Sequence, residues 1–334
     1  MVYLYKKIIN GRPYYYLRLS KKQKGKTVVK DVAYLGNDIA KIEKQLDKLP
    51  QKYKVEIRAG YKTIKRFLES GYYEDKIRQQ KKKQTPYMVK KLFDEIEAVH
   101  FHFQEKFLVL DEKTREEIYK QFVIDFAFNT TSIEGNTITL QEAKKLLMEE
   151  KTPKDRTLRE VYDVQNTEKV FMMLMMAKEE ITEDFIIKVH DVLLEQIDVR
   201  KGYRMHDIRI VGSTFDVSPA RYVKTDMALL LKWVGQNKAL HPFVKAVLFH
   251  HKFERIHPFA DGNGRTGRML MNYMLVKEGY PPCIIQKKKR QEYIKALRHA
   301  DHADLFAQAP KLYRSLVQFV AEEYVYGYWN IFLT

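Results

Sequence analysis

Residues 257–268 read His-Pro-Phe-Ala-Asp-Gly-Asn-Gly-Arg-Thr-Gly-Arg and join two apolar helical segments through a loop. In this loop Gly262 and Gly264 flank Asn263, and glycines at such a bend let successive backbone N–H groups turn toward one anion. The helix that opens near Arg265 directs the positive end of its dipole to the same place. Together these features predict a phosphate-binding loop.

Charged side chains of the same stretch add the other parts of a phosphate-transfer site. Arg265 and Arg268 share one face of the first helical turn, and paired guanidinium groups suit phosphate oxygens. Asp261 is a carboxylate within this cationic loop, and a carboxylate beside phosphates most naturally holds Mg²⁺. His257 can accept a proton near neutral pH. A base, a metal ligand and a phosphate cradle therefore fall within twelve residues.

Each of these features has a plainer interpretation by itself. Gly-Asn-Gly is usually a turn, a histidine before proline is usually a loop or core residue, and two arginines on one turn are usually solvated. His250, His251 and His257 could form a metal cluster, but Cys or carboxylate partners with zinc spacing are missing. A Gly-x4-Gly-Lys-Ser/Thr phosphate loop is also missing. The conjunction of features favours the phosphate-transfer interpretation.

The sequence around this loop is helical in period from about Pro86 onward. This pattern predicts a mainly α-helical bundle. The exception is the segment 208–219, which combines strand-forming residues with turn residues and predicts a β-hairpin projecting from the helices.

Residues 257–268 resemble the signature of the Fic family, His-x-Phe-x-Asp/Glu-Gly-Asn-Gly-Arg-x-x-Arg, and match it at every defined position. The resemblance extends over roughly residues 90–320. It also includes other family-like features, namely Gly202-Tyr-Arg204, the hairpin at 208–219, His241-Pro242 and the stretch from Glu292 to Leu297. The resemblance implies a helical Fic-domain bundle in which the hairpin is a flap.

For chemistry, the resemblance implies a protein adenylyltransferase, a nucleotidyltransferase that uses ATP and Mg²⁺. His257 would take the proton of a target Ser, Thr or Tyr hydroxyl, which then attacks the α-phosphate. Asp261 would bind the Mg²⁺ that bridges the α- and β-phosphates. The flap at 208–219 would pair with a segment of the target protein and present its hydroxyl group to His257. Phe259 would be a buried anchor of the loop.

The resemblance also implies how the nucleotide is bound. Arg265 and Arg268 would hold the β- and γ-phosphates, and Tyr293 and Asp301 lie near the places where some relatives seat the nucleotide. The residues implied to bind it are Gly262, Asn263, Gly264, Arg265, Arg268 and Tyr293.

A second motif lies in residues 129–137, Asn-Thr-Thr-Ser-Ile-Glu-Gly-Asn-Thr. By itself, Glu134-Gly135 is typical of a helix C-terminus with its glycine cap. Beside the signature, Thr130-x-x-x-Glu134-Gly135 resembles the family's inhibitory pattern, Ser/Thr-x-x-x-Glu-Gly/Asn. The resemblance implies that Glu134 pairs with Arg268 where the γ-phosphate should lie, so that the enzyme is autoinhibited.

Related activities remain open at this point. Some Fic proteins transfer other nucleotides or groups, and in some the inhibitory glutamate supports removal of AMP. The complete signature favours ATP as the donor. The second hypothesis is a nucleic-acid-binding regulator that carries a Fic domain. A scaffold without activity is disfavoured, because no signature residue is missing.

The net charge of +17 lies in one part of the chain. Residues 1–91 hold 25 Lys/Arg against 8 Asp/Glu, whereas the other 243 residues hold 35 of each. Such asymmetry indicates a basic N-terminal module beside an ordinary enzyme-like domain, with a boundary near the charge run at 81–86.

The basic module begins with three predicted strands at 2–9, 13–19 and 27–35. Asn10-Gly11 predicts a two-residue hairpin, and residues 21–26 predict a longer turn. Because three strands are marginal by themselves, the helix indicated by Ile39, Ile42, Leu46 and Leu49 should cover the sheet.

These patterns divide the chain into four predicted parts. They are a basic β-meander at 1–36, a helical connector at 37–88, a Fic domain at 89–325 with the inhibitory helix at 121–135, and an aromatic tail at 326–334. Tyrosines interleaved with basic residues in 1–36 suit nucleic acid, and the alternatives are a solubilising surface or a dock for acidic proteins. The tail could pack across an interface, giving a homodimer, or onto the body.

The sequence also bears on where the protein is found. No apolar run approaches the ~18 residues that span a bilayer, the first residues do not resemble a signal peptide, and Cys283 is the only cysteine. We therefore expect a cytoplasmic protein with no membrane partner.

Overall fold

The computed structural model describes residues 2–23, 25–80, 82–209 and 216–333. Over these residues the chain is mainly α-helical and begins with a three-stranded antiparallel sheet, as predicted. The strands are β1 (Val2–Ile9), β2 (Arg12–Gln23) and β3 (Lys26–Gly36). The helices are α1 (Ile42–Asp47), α2 (Gln51–Ala59), α3 (Tyr61–Gln79), α4 (Lys90–His102), α5 (Glu112–Ile133), α6 (Leu140–Glu149), α7 (Leu158–Met176), α8 (Glu183–Leu193), α9 (Val223–Gln236), α10 (Pro242–Ile256), α11 (Asn263–Lys277), α12 (Arg290–Ala300) and α13 (Pro310–Ile331).

The first hairpin of the sheet turns where the sequence predicts. Asn10 and Gly11 have φ angles of 49° and 75°, the left-handed pair that a two-residue hairpin requires. The second hairpin differs from the prediction of a long turn at 21–26. There β2 continues to Gln23 and β3 begins at Lys26, because extending the ladder gives the backbone groups of residues 20–23 partners in β3.

One face of the sheet is covered by helices. Its buried residues form a small core of their own with the residues of the first helices: Val2, Leu4, Tyr15, Leu17, Leu35, Ile39, Ile42, Leu46 and Ile64. The predicted covering helix is therefore present. Helix α2 lies within the helical connector predicted at 37–88, although it has no buried residue and so lacks a clear apolar stripe.

The large core lies around α10 and α11. Almost every side chain of these two helices is buried, and helices α4, α5, α7, α8, α9, α12 and α13 contribute to the same core. Helices that are buried on all sides lie at the centre of a domain, and here the buried residues include polar and charged ones such as Lys252 and Arg268. The loop at 257–262 joins the two helices, so the core holds both of its ends.

The C-terminal aromatic residues continue a helix instead of forming a separate tail. Helix α13 extends to Ile331, and Tyr328, Trp329 and Phe332 are buried. His102 Nδ1 and the Tyr328 hydroxyl are 2.6 Å apart in a buried hydrogen bond. Of the two alternatives for the tail, packing onto the body is the one observed.

The predicted hairpin at 208–219 lies partly outside the described residues, which omit 210–215. Its described flanks, 207–209 and 216–219, contain no strand. Among the helices that the structure describes, none is long and apolar enough to cross a bilayer.

Candidate active site

A cleft of about 850 Å³ lies between the C-terminal end of α5, the N-terminal turn of α7, the loop after α10, the first turn of α11 and one face of α12. Its walls bring together all of the site residues predicted from the sequence, namely Glu134, His257, Asp261, Gly262, Asn263, Gly264, Arg265, Arg268 and Tyr293. A cleft of this size accommodates a nucleotide-sized ligand.

His257 ends α10 in a left-handed conformation, with a φ angle of 53°. Its Nδ1 lies 3.2 Å from the Glu254 carbonyl oxygen. Since a carbonyl can only accept, Nδ1 carries the proton and Nε2 carries the lone pair. Burial is the main reason that the pKa of His257 is lowered. The structure thus gives a neutral imidazole whose Nε2 can accept a proton.

The carboxamide of Asn263 closes the loop on itself. Its oxygen accepts a hydrogen bond of 2.9 Å from the Phe259 N–H, and its nitrogen donates one of 2.8 Å to the Phe259 carbonyl. The carboxamide thus orients the loop through both of its polar groups, and binding of the nucleotide by Asn263 stays a prediction. The first backbone amides of α11, which have no partner within the helix, remain for an anion.

Phe259 is the buried anchor that the sequence predicts. Its ring is inaccessible and stacks on the His190 imidazole, with a centroid distance of 3.6 Å. His190 Nε2 also lies 3.1 Å from the Asp261 carbonyl oxygen. Sequence reasoning missed His190, whose position on the apolar face of α8 resembles that of an ordinary core residue.

Asp261 is held by groups from two elements. Its Oδ1 accepts a hydrogen bond of 2.6 Å from the Gly262 N–H, and its carboxylate forms ion pairs with Arg265 and, from α7, Arg159. Burial by itself would raise the pKa of Asp261, but the two guanidinium groups outweigh it and lower the pKa. Asp261 is therefore ionised at neutral pH.

A metal ion at this site would need ligands from the substrate. Among the described residues, no group of three or more His, Cys, Asp or Glu could hold a metal ion. One ionised carboxylate in a cleft suits Mg²⁺, which typically binds one or two carboxylates together with phosphate oxygens. His250 and His251 instead hydrogen-bond in the core, with Tyr293 and with Asp301 and Tyr313 respectively, so the histidines do not form a metal cluster.

Arg265 is tied to the protein more firmly than the sequence suggests. Its buried guanidinium pairs with the Asp163 carboxylate of α7, and Nη2 lies 3.5 Å from Asp261 Oδ1. Burial raises the pKa of Asp163 although Arg265 and Arg159 act in the opposite direction. The contact orients Arg265 along the wall of the cleft, so phosphate would have to share its guanidinium with Asp163.

Arg268 is bound by two residues of the second motif. Its Nη2 donates to Glu134 Oε1 over 2.7 Å and to the Thr130 carbonyl over 3.0 Å, and its Nε donates to Thr130 Oγ1 over 2.8 Å. Arg268 is buried, whereas the Glu134 side chain is 42% exposed to the cleft. The ion pair implied by the resemblance is thus present, and Thr130 adds contacts that were not expected.

Two glycines allow the Glu134 side chain to reach Arg268. Gly135 follows the C-cap residue Glu134 with a φ angle of 104°, a conformation that favours glycine and lets the chain turn away from the helix. A Cβ atom added at Gly264 would stand 2.2 Å from Glu134 Oε1, so a side chain at residue 264 would collide with the carboxylate. The lack of a side chain at Gly264 therefore gives Glu134 access to the first turn of α11.

The turn after Glu134 is fastened to α7. Asn136 Nδ2 donates to the Glu160 carbonyl over 2.9 Å, and the Glu160 carboxylate accepts from the Thr137 N–H over 2.9 Å. Hydrogen bonds with Thr137 and the backbone of Thr157 lower the pKa of Glu160 to about 2. These contacts hold the end of α5 against the cleft.

Glu254, a carboxylic acid that sequence reasoning did not single out, lies close enough to Arg268 for the two charges to interact, and 17% of its side chain is exposed. Glu254 is one turn before His257 on α10, and its Oε1 has no hydrogen-bond partner among the described residues. Burial is the main cause that raises the pKa of Glu254 to about 8; Arg268 opposes the shift and Glu134 reinforces it. The neighbouring polar residues of α10 are His250, His251, Lys252 and Arg255. No signal in the sequence therefore set Glu254 apart.

Tyr293 of α12 also faces inward. Its hydroxyl forms a buried hydrogen bond with His250, and its ring stacks on Phe319 at a centroid distance of 6.0 Å. The residue lines the cleft but its hydroxyl is already occupied. Any contact with a nucleotide would therefore involve the ring.

Arg204 joins the catalytic loop to the segment that carries the predicted flap. Its Nε donates to the His257 carbonyl over 2.8 Å, and its Nη2 donates to the Ser218 carbonyl. The Arg204 N–H also donates to the Pro258 carbonyl over 2.9 Å. The described end of that segment is thereby held beside His257.

Comparison with known proteins gives a consistent picture of this domain. Residues 180–275 match the Fic/DOC family. Curated relatives include the protein adenylyltransferase Fic of Drosophila grimshawi and that of Drosophila melanogaster, each 31% identical to this chain. The matches cover 63% of this chain and 42% and 41% of the two relatives, so the chain spans about two fifths of the length of the relatives it matches.

Solved structures agree on the fold. A Fic domain containing signaling protein from Bacteroides thetaiotaomicron superposes with a TM-score of 0.63 at 22% identity, covering 75% of this chain and 97% of that one. Amino acids 134–508 of Fic-1 from C. elegans superpose with a TM-score of 0.62 at 25% identity, covering 72% and 71%. The chain therefore contains a Fic/DOC domain and is distantly related to proteins named adenylyltransferase.

Proposed function

We propose that this chain, which contains a Fic/DOC domain, transfers AMP from ATP to a hydroxyl group of a protein and is held back by Glu134. One observation carries the proposal: a neutral His257, an ionised Asp261 and the buried Arg268 face a single cleft at the N-terminal end of α11. This combination provides a base, a metal ligand and a triphosphate-binding end in one place.

The triphosphate would lie along the first turn of α11. The unpaired amides and the dipole of the helix favour negative charge there, and Arg265 and Arg268 add two guanidinium groups. Asp261 would hold Mg²⁺, which supplies positive charge to the phosphate oxygens. Arg159, the exposed partner of Asp261, would move away from the carboxylate when the metal binds.

The chemical step requires few groups. His257 Nε2 takes the proton of the target hydroxyl, whose oxygen forms a bond to the α-phosphorus while the bond between the α-phosphorus and the bridging oxygen breaks. Pyrophosphate leaves, and AMP remains as a phosphodiester on the protein. The amides of α11 and Arg265 stabilise the charge that moves to the leaving group.

Inhibition would follow from competition for Arg268. The Glu134 carboxylate occupies the guanidinium from the cleft side, so a γ-phosphate placed there would meet a negative charge. Thr130 contacts the same guanidinium from within the protein. Rotation of the Glu134 side chain would therefore free Arg268 without removing the contacts that orient it.

The target protein would bind beside the catalytic loop. Residues 208–219 are the proposed docking segment, at which a strand of the target adds by backbone hydrogen bonds. Arg204 ties residue Ser218 of this segment to the backbone of His257, so a hydroxyl group presented there would be close to the base.

The test is self-modification with α-labelled ATP and Mg²⁺. We expect weak label on the wild type, strong label on Glu134→Gly and none on Glu134→Gly/His257→Ala. Equal label on the wild type and on Glu134→Gly would contradict inhibition by Glu134. Label that persists in the double variant would contradict His257 as the base, and label from another nucleotide but not from ATP would contradict the proposed donor.

A further inference from the structure

The outer face of the N-terminal sheet, opposite the face that packs on the helices, is aromatic and basic. We call it the outer face; its tyrosines are Tyr3, Tyr5, Tyr14, Tyr16 and Tyr34. Tyr34 is 56% exposed, and its ring lies 5.4 Å from that of Tyr16. Arg18 stacks over Tyr5 at 3.3 Å from the ring centroid. No described helix covers this face.

A two-stranded ribbon extends the outer face beyond β1. Among the described residues, β1 pairs with β2 only as far as Leu19, so the segments 20–23 and 26–29 pair only with each other. At ~3.3 Å per residue the four pairs project by about 13 Å. The described ribbon residues from Lys21 to Asp31 are all exposed, including Val28 and Val29 at 46% each.

Charge on this part of the sheet is almost wholly positive. Residues 1–36 contain nine Lys/Arg and one acid, Asp31, which pairs with Arg18 at 2.5 Å. The lysines on the described ribbon are Lys21, Lys22, Lys26 and Lys30. They have no acidic neighbour on the ribbon other than the already paired Asp31, so their charge remains available to a polyanion.

From these observations we propose that the ribbon at residues 20–23 and 25–31 binds double-stranded DNA through the major groove. Two antiparallel strands with their side chains match a groove about 12 Å wide. The four lysines would reach the phosphates on both sides, and Thr27 and Val29, which share one face of the ribbon, would contact base edges, where valine and threonine methyl groups suit thymine. The major groove of double-stranded RNA is too deep and narrow for such a ribbon.

The shape also argues against other anionic partners. An anionic membrane would be met by a broad basic surface, whereas here the charges lie on a narrow projection. On the outer face, tyrosine rings contact one another and the Arg18 guanidinium, and Tyr34 is the most exposed of the tyrosines. Because these rings are mostly covered, they offer little surface on which the bases of a single strand could stack. Recognition of the shape of a duplex is therefore favoured. This proposal does not depend on the proposed AMP transfer.

The experiment measures binding of the full chain to a labelled 30-base-pair duplex by fluorescence anisotropy across a salt series. The ribbon variant is Lys21→Gln/Lys22→Gln/Lys26→Gln/Lys30→Gln. The control variant removes four exposed lysines of the Fic domain, Lys113→Gln/Lys144→Gln/Lys145→Gln/Lys232→Gln. Circular dichroism confirms that both variants remain folded.

We expect the wild type to bind with a steep salt dependence. The ribbon variant should bind at least ~10-fold more weakly at about 0.1 M salt, and its log–log salt slope should be smaller by about 2 to 4, because each phosphate contact contributes ~0.9. The control should bind within about twofold of the wild type, as its lysines make no phosphate contact.

Several outcomes would overturn the proposal. They are no binding by the wild type at low salt, equal weakening in the ribbon and control variants, and an unchanged affinity of the ribbon variant. Tighter binding to single-stranded DNA, to duplex RNA or to phosphatidylserine vesicles than to duplex DNA would assign the ribbon to a different partner.

Discussion

Arg268 donates a hydrogen bond of 2.7 Å to Glu134 across a sequence separation of 134 residues, joining the end of α5 to the first turn of α11. The pair is asymmetric, because Arg268 is buried and Glu134 faces the cleft. A ligand can thus replace the carboxylate without disturbing the surroundings of the arginine. This asymmetry underlies the first two predictions.

Glu134→Gly should lower stability while it raises activity. The variant leaves one buried donor of Arg268 without a partner, which costs about 1–3 kcal/mol. ATP with Mg²⁺ should restore more stability to Glu134→Gly than to the wild type, as measured by thermal unfolding. The control is Glu150→Gly, an exposed C-cap residue of α6 outside the cleft. A larger shift with ATP for the wild type would contradict the competition.

Thr130→Val should weaken the hold on Arg268. In the Glu134→Gly background, the loss of a hydroxyl that accepts from a charged donor should reduce kcat/KM for ATP up to ~10-fold. Thr131→Val is the matched control, since Thr131 Oγ1 bonds to the Ala127 carbonyl within its own helix. If both variants lose activity equally, the effect comes from α5 and not from Arg268.

AMP transfer by Glu134→Gly should decline only at acidic pH. Burial lowers the pKa of His257, so the imidazole stays neutral and able to accept a proton through the neutral range. We expect kcat/KM to be flat near pH 7 and to fall with a midpoint below the ordinary histidine value of ~6.5. A midpoint well above that value would show that His257 is not the group that titrates.

Glu254→Gln should reduce the pH dependence of stability. The folded-state pKa of Glu254 is about 8, above that of an unfolded glutamate, so the folded chain holds an extra proton and loses stability as pH rises through the interval between the two values. The slope is at most ~1.4 kcal/mol per pH unit. Denaturant unfolding at pH 5.5, 6.5 and 7.5 should show a flatter profile for Glu254→Gln than for the wild type. Parallel profiles would mean that Glu254 is ionised in the folded chain.

Arg159→Gln should lower the Mg²⁺ concentration that gives half-maximal AMP transfer. Its guanidinium competes with the metal for the Asp261 carboxylate, and the residue is exposed enough to be removed without loss of packing. Arg156→Gln is the control, because Arg156 pairs with Glu142 on α6. An increased Mg²⁺ requirement would instead indicate that Arg159 contributes to binding the phosphates.

Helices and strands were predicted well wherever apolar residues recur with a clear helical or strand period. The helical runs from α4 to α13 and the three strands were all indicated, and so was the Asn10-Gly11 turn. Helix α2 falls within the predicted helical connector at 37–88 but was not predicted as a separate helix, because its exposed surface leaves no apolar stripe. The length of the β2–β3 ribbon was underestimated, since lysines carry no strand signal and only pairing with β3 extends the ladder.

The candidate site was predicted as a set of residues but not as a set of contacts. Residues of the contiguous loop were named correctly as neighbours, because the chain itself keeps them close. The partners supplied by α7, Arg159 and Asp163, were not predicted, and neither was the inward position of the Asn263 carboxamide. These depend on how separate helices pack, and helical periodicity indicates which face is buried but not its neighbour.

The sequence by itself determined the local chemistry of this protein. The loop at 257–268 contains a base, a carboxylate, glycines and arginines, and their spacing at a helix N-terminus forms an anion-binding site. The lysines concentrated in residues 1–91 make the N-terminal module basic. These properties depend on residue type and short-range geometry alone.

Only the tertiary structure decided which groups compete in the cleft. It places Glu134 and Thr130 on the same guanidinium and Arg159 on Asp261, and it brings Glu254 close enough to Arg268 and Glu134 for their charges to shift its pKa. The physical reason is that a side chain's charge state and partners are set by burial and by distances between segments far apart in the chain. Those distances exist only after the helices have packed around α10 and α11.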